Sequence, residues 1–200
     1  MSELEIIAAE VHACTRCVLH RGRTQAVPGE GPADAPIMFI GEAPGFHEDQ
    51  QGRPFVGPAG QFLDELLTSI GLRRQEVFIG NIIKCRPPAN RDPLPEEIAA
   101  CAPFLDRQLA AIRPRLVVTL GRFSMARFLP RARISEVHGQ ARRVGDLVCL
   151  PMYHPAAALH QPSLRRVIEE DFRQIPAALA QTEAVAEYEP PPQAEQLRLF

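Results

Sequence analysis

PIMFIGEAPGFHEDQQGRPFVGPAG, residues 36–60, decides the fold. Its opening run, Pro36 to Ile40, is short, apolar and bounded by breakers, as a strand buried on both faces of a parallel sheet should be. Its far end starts a different periodicity. In GQFLDELLTSI (60–70), Phe62, Leu63, Leu66, Leu67 and Ile70 fall on one helical face, and Gly71 stops the pattern. The Gly- and Pro-rich stretch between them therefore leaves the carboxyl end of a strand, the position where open α/β sheets bind ligands. It carries Glu42, Glu48, Asp49 and Phe55.

The same alternation continues outward. Leu4 to Val11 is apolar at helical spacing; Val77 to Ile83 reads as a second strand and Arg115 to Leu120 as a third. Pro95 to Ile112 is a helix opened by Pro-Glu-Glu and stopped near Pro114, and Gly121 opens another that runs to Leu129. Val144 to Met152 is mostly strand, and Ser163 to Ala180 a last helix. Strands alternating with helices imply β-α-β units with right-handed crossovers. The expected architecture is a three-layer α/β/α sandwich around a central, mostly parallel four-stranded sheet, spanning residues 1–180. Residues 181–200 lose periodicity and read as an acidic, Pro-rich flexible tail.

Composition narrows the class. The 200 residues are 46% hydrophobic, enough for one domain with a sizeable core. No run approaches the roughly 18 apolar residues of a membrane helix, and the N-terminus lacks a basic-then-apolar leader, so a cytoplasmic protein is expected. The formal charge of −2 conceals an uneven distribution. Between Ala111 and Leu150 eight arginines face only Glu136 and Asp146. That local excess suits phosphate contact, and equally an ordinary solvated surface.

With this topology, strand ends deliver polar groups to one crevice. They are Gly41, Glu42, Ala43 and the loop beyond; Asn81 and the run to Asn90; Thr119; and His154. A buried Asn amide presents donor and acceptor in fixed geometry, suited to the edge of a planar base, and a His at a strand end can donate to a developing oxyanion. Phe55 can stack on such a base. The cysteines form a second pattern. Cys14 and Cys17 are a C-x2-C pair, Cys85 lies in the loop after the second strand, and Cys101 lies on the following helix. Four thiolates suit a [4Fe-4S] cluster or a tetrahedral zinc ion. Cys149, in an apolar strand, reads as inert core.

GEAPG (41–45), GRPFVGPAG (52–60), NIIKCRPPANRDP (81–93) and HPA (154–156), together with the four cysteines, resemble the iron-sulfur uracil-DNA glycosylases of family 4, in their bacterial form. The resemblance runs from about Cys14 to the last helix. It implies a structural [4Fe-4S] cluster on Cys14, Cys17, Cys85 and Cys101, and excision of uracil from single- and double-stranded DNA in base excision repair. It also implies that Phe55 stacks on the flipped uracil, Asn81 reads its Watson-Crick edge and His154 stabilises charge on O2, within a base site that takes in Gly41, Ala43, Asp49 and Asn90.

Two departures matter. Where better-known uracil glycosylases carry an Asp that activates water, this chain has Ala43, so Glu42 is the expected partner of the water, with Glu48 next and then Asp49 or Asn90. Where they carry a Tyr that blocks the thymine methyl, it has Gly45, and Glu48 is a candidate substitute. Leu159 can wedge into the stack left by the flipped base. The terminal Gln196, Leu197, Arg198, Leu199 and Phe200 resemble the peptide by which bacterial repair proteins dock on the sliding clamp. Two other classes are a relative that binds uracil-DNA covalently without turnover and an iron-sulfur electron carrier. The first carries an inserted basic loop that KCRPPANRDPLPEE lacks, and the second has no need of Phe55, Asn81 and His154.

Overall fold

The chain's strongest instruction is the apolar run, and in the computed structural model, which describes residues 1–190, these runs lie side by side. The strands are β1 (Ile37–Gly41), β2 (Phe78–Asn81), β3 (Leu116–Leu120), β4 (Arg142–Val144) and β5 (Leu147–Met152), in the order β2-β1-β3-β5-β4. Met38 pairs with Phe78 on one side and Val117 on the other, and Val117 with Cys149, all in parallel register. Every residue of β1 and β3 is buried, which explains why both are apolar but for Gly41 and Thr119.

Alternation along the strands feeds two cores. Met38, Ile40, Val117 and Cys149 face one cluster, which they share with Ile7 and Val11 of α1 (Glu3–Ala13) and Phe104 and Leu105 of α4 (Pro95–Ile112). Ile37, Phe39, Val118 and Leu150 face the other, with Phe62, Leu63 and Leu66 of α3 (Pro58–Ser69) and Ile168 and Phe172 of α8 (Ser163–Phe172). Each such fully buried side chain contributes roughly 1.5–3 kcal/mol of apolar transfer free energy. The result is the expected three-layer α/β/α sandwich.

Local differences have local causes. The sheet has five strands rather than four, because Gly145 (φ 58°) and Asp146 form a two-residue turn that folds Arg142–Val144 back on β5 as an antiparallel edge. The second strand stops at Asn81, because Ile82 and Ile83 donate to the carbonyls of Gly41 and Glu42 (3.0 and 3.2 Å) and bend the chain over the end of β1. The long final helix breaks into α8 and α9 (Ile175–Ala180), where Pro176 cannot continue the hydrogen-bond ladder. Three short helices were not expected: α2 (Phe46–Gln51) inside the Gly-rich loop, α6 (Ile134–Val137), and α7 (Pro155–His160) in the HPAAA stretch. The helix that Gly121 opens is α5 (Arg122–Phe128).

Both outer strands have company. Glu30 exchanges two backbone hydrogen bonds with Ile79 of β2 (2.9 and 2.8 Å), and Arg143 of β4 bonds to Ala186 and Tyr188 (both 2.8 Å). No helix among the described residues is long and apolar enough to cross a membrane. The C-terminal pentapeptide, Gln196 to Phe200, lies outside the described residues.

Candidate active site

The carboxyl ends of β1, β2 and β5 open into one cleft of about 570 Å3. That is the size of a small-molecule site, at the place the topology favours. Glu42, Ala43, Glu48, Phe55, Asn81, Asn90 and His154 all line it. Gly41 lies beneath them. A β-carbon at this position would come within 2.4 Å of Asn81 Oδ1 and 2.7 Å of Phe55 Cζ, so only glycine lets both side chains close over β1.

Asn81 is 1% exposed, and its Oδ1 is the one buried side-chain polar atom among the described residues without a hydrogen-bond partner. Leaving a buried acceptor unpaired costs about 1–3 kcal/mol, a cost that a ligand offering an N–H at that point would relieve.

His154 caps α7, and its Nδ1 accepts the Ala156 N–H at 3.1 Å. With Nδ1 an acceptor, the neutral ring carries its proton on Nε2. The surrounding protein withholds the water an imidazolium needs. Burial pulls the pKa down to about 4, the charge of Glu48 opposing, so the ring is neutral at physiological pH. Phe55 lies against it, ring centroids 5.4 Å apart and planes 21° from parallel. Phe55 holds a left-handed backbone (φ 51°), strained for a non-glycine residue. Arg74 fixes it there by donating to the carbonyls of Phe55 (2.8 Å) and Pro54, while itself paired with Glu30 at 2.8 Å.

The carboxylates separate into different jobs. Glu48 accepts from Val56 N (2.8 Å) and Gly57 N (2.9 Å) through Oε1 and from Gly45 N (3.1 Å) through Oε2, so it staples the start of α2 to the start of α3. With both oxygens engaged by backbone amides, it is a brace for the loop. Asp49, expected in the base site, lies outside the cleft; it is buried and accepts from Thr24 N at 2.9 Å. The helical turn of α2 accounts for this, since it sends successive side chains about 100° apart around its axis. Glu42 lines the cleft half-buried, its pKa raised by burial and by the charge of Asp92, with Arg122 opposing. Asn90 is exposed at the rim and accepts from Arg86 Nε at 2.7 Å; that guanidinium in turn lies 5.2 Å from the ring centroid of Phe46. Phe46 and Leu159 are exposed apolar side chains lining the cleft, from the loops after β1 and β5.

The arginine-rich segment does not present a bare basic face. Arg122 pairs with Asp92, Arg127 with Asp106 and Arg133 with Glu136, while Arg115 and Arg143 donate to the carbonyls of Leu179 and Thr182. Of the arginines, it is Arg91 that lines the cleft. It lies outside the segment and is paired with Glu97 at 2.6 Å.

Cys14, Cys17, Cys85 and Cys101 line a second pocket, closed by Val11 and Phe104 and edged by Arg16, His20, Arg23 and Lys84. Among the described residues no three His, Cys, Asp or Glu side chains converge on a point able to hold one metal ion. Four cysteines around one pocket are a ligand set of the kind that an iron-sulfur cluster or a zinc ion takes. Donors to sulfur are already in place: Arg23 Nη1 to Cys85 (3.2 Å), Lys84 N to Cys101 (3.3 Å) and Arg16 N to Cys14 (3.5 Å). Burial pushes the Cys101 thiol up to about 11, with Lys84 opposing. Cys149 stands apart in β5, fully buried, its thiol pushed by burial up to about 12 against a contact with Thr119.

Arg74, Lys84 and Phe46 escaped the sequence reading. The first two act through backbone carbonyls that only the folded chain brings near. Phe46, a second aromatic in the Gly-rich loop beside Phe55, left a signal that could have been followed.

A profile of the uracil DNA glycosylase superfamily matches residues 28–178. The chain is 49% identical to the type-4 uracil-DNA glycosylase of Sulfurisphaera tokodaii, over 88% of this chain and 84% of that protein. It is 49% identical to the type-4 enzyme of Archaeoglobus fulgidus over 88% and 92%, and 44% identical to that of Thermotoga maritima over 84% and 91%.

Proposed function

The chain belongs to the type-4 uracil-DNA glycosylases of the uracil DNA glycosylase superfamily, and from that premise we propose that it excises uracil from DNA, leaving free uracil and an abasic site for base excision repair. The observation that carries the reading is the orphaned Oδ1 of Asn81. Uracil's Watson-Crick edge offers an N3–H donor beside the O4 acceptor, which an amide side chain matches in both senses.

The reaction needs the target nucleotide out of the stack, at a cost of a few kcal/mol offset by contacts in the pocket. Phe55 supplies the stacking face. Leu159 fills the gap left in the duplex. As the C1′–N1 bond breaks, its electron pair moves onto uracil, and the anion is held by Nε2–H of neutral His154 at O2 and by Asn81 at N3 and O4. Water adds its oxygen to C1′ and gives its proton to Glu42, whose raised pKa makes it a better base than an ordinary carboxylate. We assign to Glu48 the loop geometry that keeps this pocket closed, including the space beside uracil C5 where thymine carries a methyl group.

Cys14, Cys17, Cys85 and Cys101 are the residues that would hold a [4Fe-4S] cluster; when bound, its metal–thiolate bonds tie the N-terminal segment to the loop after β2 and to α4. No step of the hydrolysis passes through it. We further propose that the protein works as a monomer in the cytoplasm, at the nucleoid. For docking on the sliding clamp, the support is the sequence of Gln196, Leu197, Leu199 and Phe200 at the end of a Pro-rich segment.

The test is excision on labelled oligonucleotides carrying uracil or thymine. Alkali-sensitive breaks at uracil alone are expected. Intact uracil strands after prolonged incubation with cluster-loaded protein, or a stable protein–DNA adduct in place of free uracil, would overturn the reading.

A further inference from the structure

The chain contains one lysine, and it is completely buried. Lys84 lies between the base-reading residue and the cysteine pocket: its Nζ donates to the carbonyl oxygen of Asn81 (2.9 Å) and to Gln108 Oε1 (2.7 Å). Gln108 is itself anchored, its Nε2 donating to the carbonyl of Pro28 at 2.7 Å. The backbone of Lys84 completes the knot. Its N–H points at Cys101 Sγ (3.3 Å), and its carbonyl accepts from Val27 (2.8 Å). Cys101 and Gln108 stand seven positions apart, two turns along α4, so a single helix face supplies both the sulfur and the amide.

A buried ammonium with neutral acceptors is an expensive way to fill a core, since its hydration is lost and neither acceptor is a carboxylate. What the arrangement achieves is geometric. The peptide carbonyl of Asn81 is gripped from behind, while its side chain faces the cleft with Oδ1 unpaired. The last residue of β2 would otherwise be fixed only by its strand neighbour, just where Ile82 and Ile83 turn away.

We propose that Lys84 is a positioning residue for uracil excision: it holds the Asn81 peptide, and so the Asn81 amide, in its base-reading pose, and it transmits to that pose the anchoring that α4 and the cysteine pocket provide. The inference rests on the assignment of Asn81 as the base reader. Lys84 touches neither DNA nor the reacting atoms, and its effect on the rate passes through one other residue.

The experiment is a double-mutant cycle on the cluster-loaded full-length protein. Single-turnover excision is measured for wild type, Lys84→Met, Asn81→Ala and the double variant, alongside cluster absorbance and affinity for abasic-site DNA. Lys84→Met is expected to slow excision by at least ~10-fold in the wild-type background and by less than ~2-fold when Asn81 is already alanine, because contacting residues are strongly non-additive. Affinity for abasic-site DNA should stay constant, since no base remains to be read. Equal fold-losses in the two backgrounds, or an unchanged rate in Lys84→Met, would overturn the proposal. If Lys84→Met fails to retain its cluster, Gln108→Leu takes its place in the same cycle; it keeps the lysine but frees it from α4, and a loss of roughly 3-fold or more that vanishes in the Asn81→Ala background is expected, while an additive loss refutes the coupling. Full activity in Asn81→Ala alone would instead remove the base-reading assignment.

Discussion

Asn81 sits so tightly over Gly41 that the two strands bearing them could not carry any larger residue at position 41: a β-carbon there would approach Oδ1 of Asn81 to 2.4 Å. The two residues are register partners at the ends of β1 and β2, which is why the closeness is enforced by the sheet itself. Gly41→Ala should therefore push the amide or Phe55 out of place. The expected outcome is a fall in single-turnover excision of about 10²-fold, the scale of a 1 Å misplacement, with an overpacking cost of about 1–3 kcal/mol in stability. Rate measurement with parallel thermal melting checks it; wild-type excision in a stable Gly41→Ala protein would show that the amide's position is not critical.

The pH profile should be set on its acid side by Glu42. Its folded pKa lies above 4.5, raised by burial first and Asp92 second, and as a base it works only when ionised. kcat/KM is thus expected to fall as pH drops through that raised value. Glu42→Gln should erase the limb and lower the plateau by roughly 10²–10⁴-fold. His154, whose pKa is near 4, stays neutral over the neutral range and adds no limb there. An acid limb that persists in Glu42→Gln would assign the base elsewhere.

Glu48→Gln keeps the shape of the side chain but leaves one carbonyl oxygen where the carboxylate serves the N–H groups of Gly45, Val56 and Gly57. Losing at least one of these charge-assisted bonds should cost about 1–3 kcal/mol. Limited proteolysis between residues 45 and 57 should accelerate, alongside a lowered melting temperature. Unaltered cleavage of this loop would mean that its own packing suffices.

The five cysteines should divide four to one. Cys85→Ala and Cys101→Ala are expected to lose the brown cluster absorbance and several kcal/mol of stability, as metal binding is coupled to folding. Cys149→Ala should keep the full absorbance, since its sulfur is buried in β5 against Thr119. Iron and sulfide quantification of each purified variant decides the division.

Much of this was legible in the chain because the signals were strong where burial was complete. β1 and β3 are buried at every position and nearly all apolar, Thr119 being the polar exception, so breakers at their ends were enough to place them. The convergence of Glu42, Asn81 and His154 followed from topology, since each lies at or just beyond a strand's carboxyl end, and Phe55 joins them from the loop between α2 and α3. What local sequence did not convey was direction. Asp49 is two residues from the cleft-lining His47 yet turns toward Thr24, because α2 intervenes and rotates it away. Likewise the count of arginines from 111 to 150 was visible, but their partners, among them Asp92, Asp106 and the carbonyl of Leu179, come from other parts of the chain.

The two lateral margins of the sheet carry one more consequence. On each, the central outward-facing residue, Ile79 or Arg143, has both its amide hydrogen and its carbonyl taken by a short piece of the same chain. An unclaimed ladder at a sheet border is a template for runaway polymerisation. With these two positions already claimed, neither border offers an unbroken row of free rungs to a second copy of the chain.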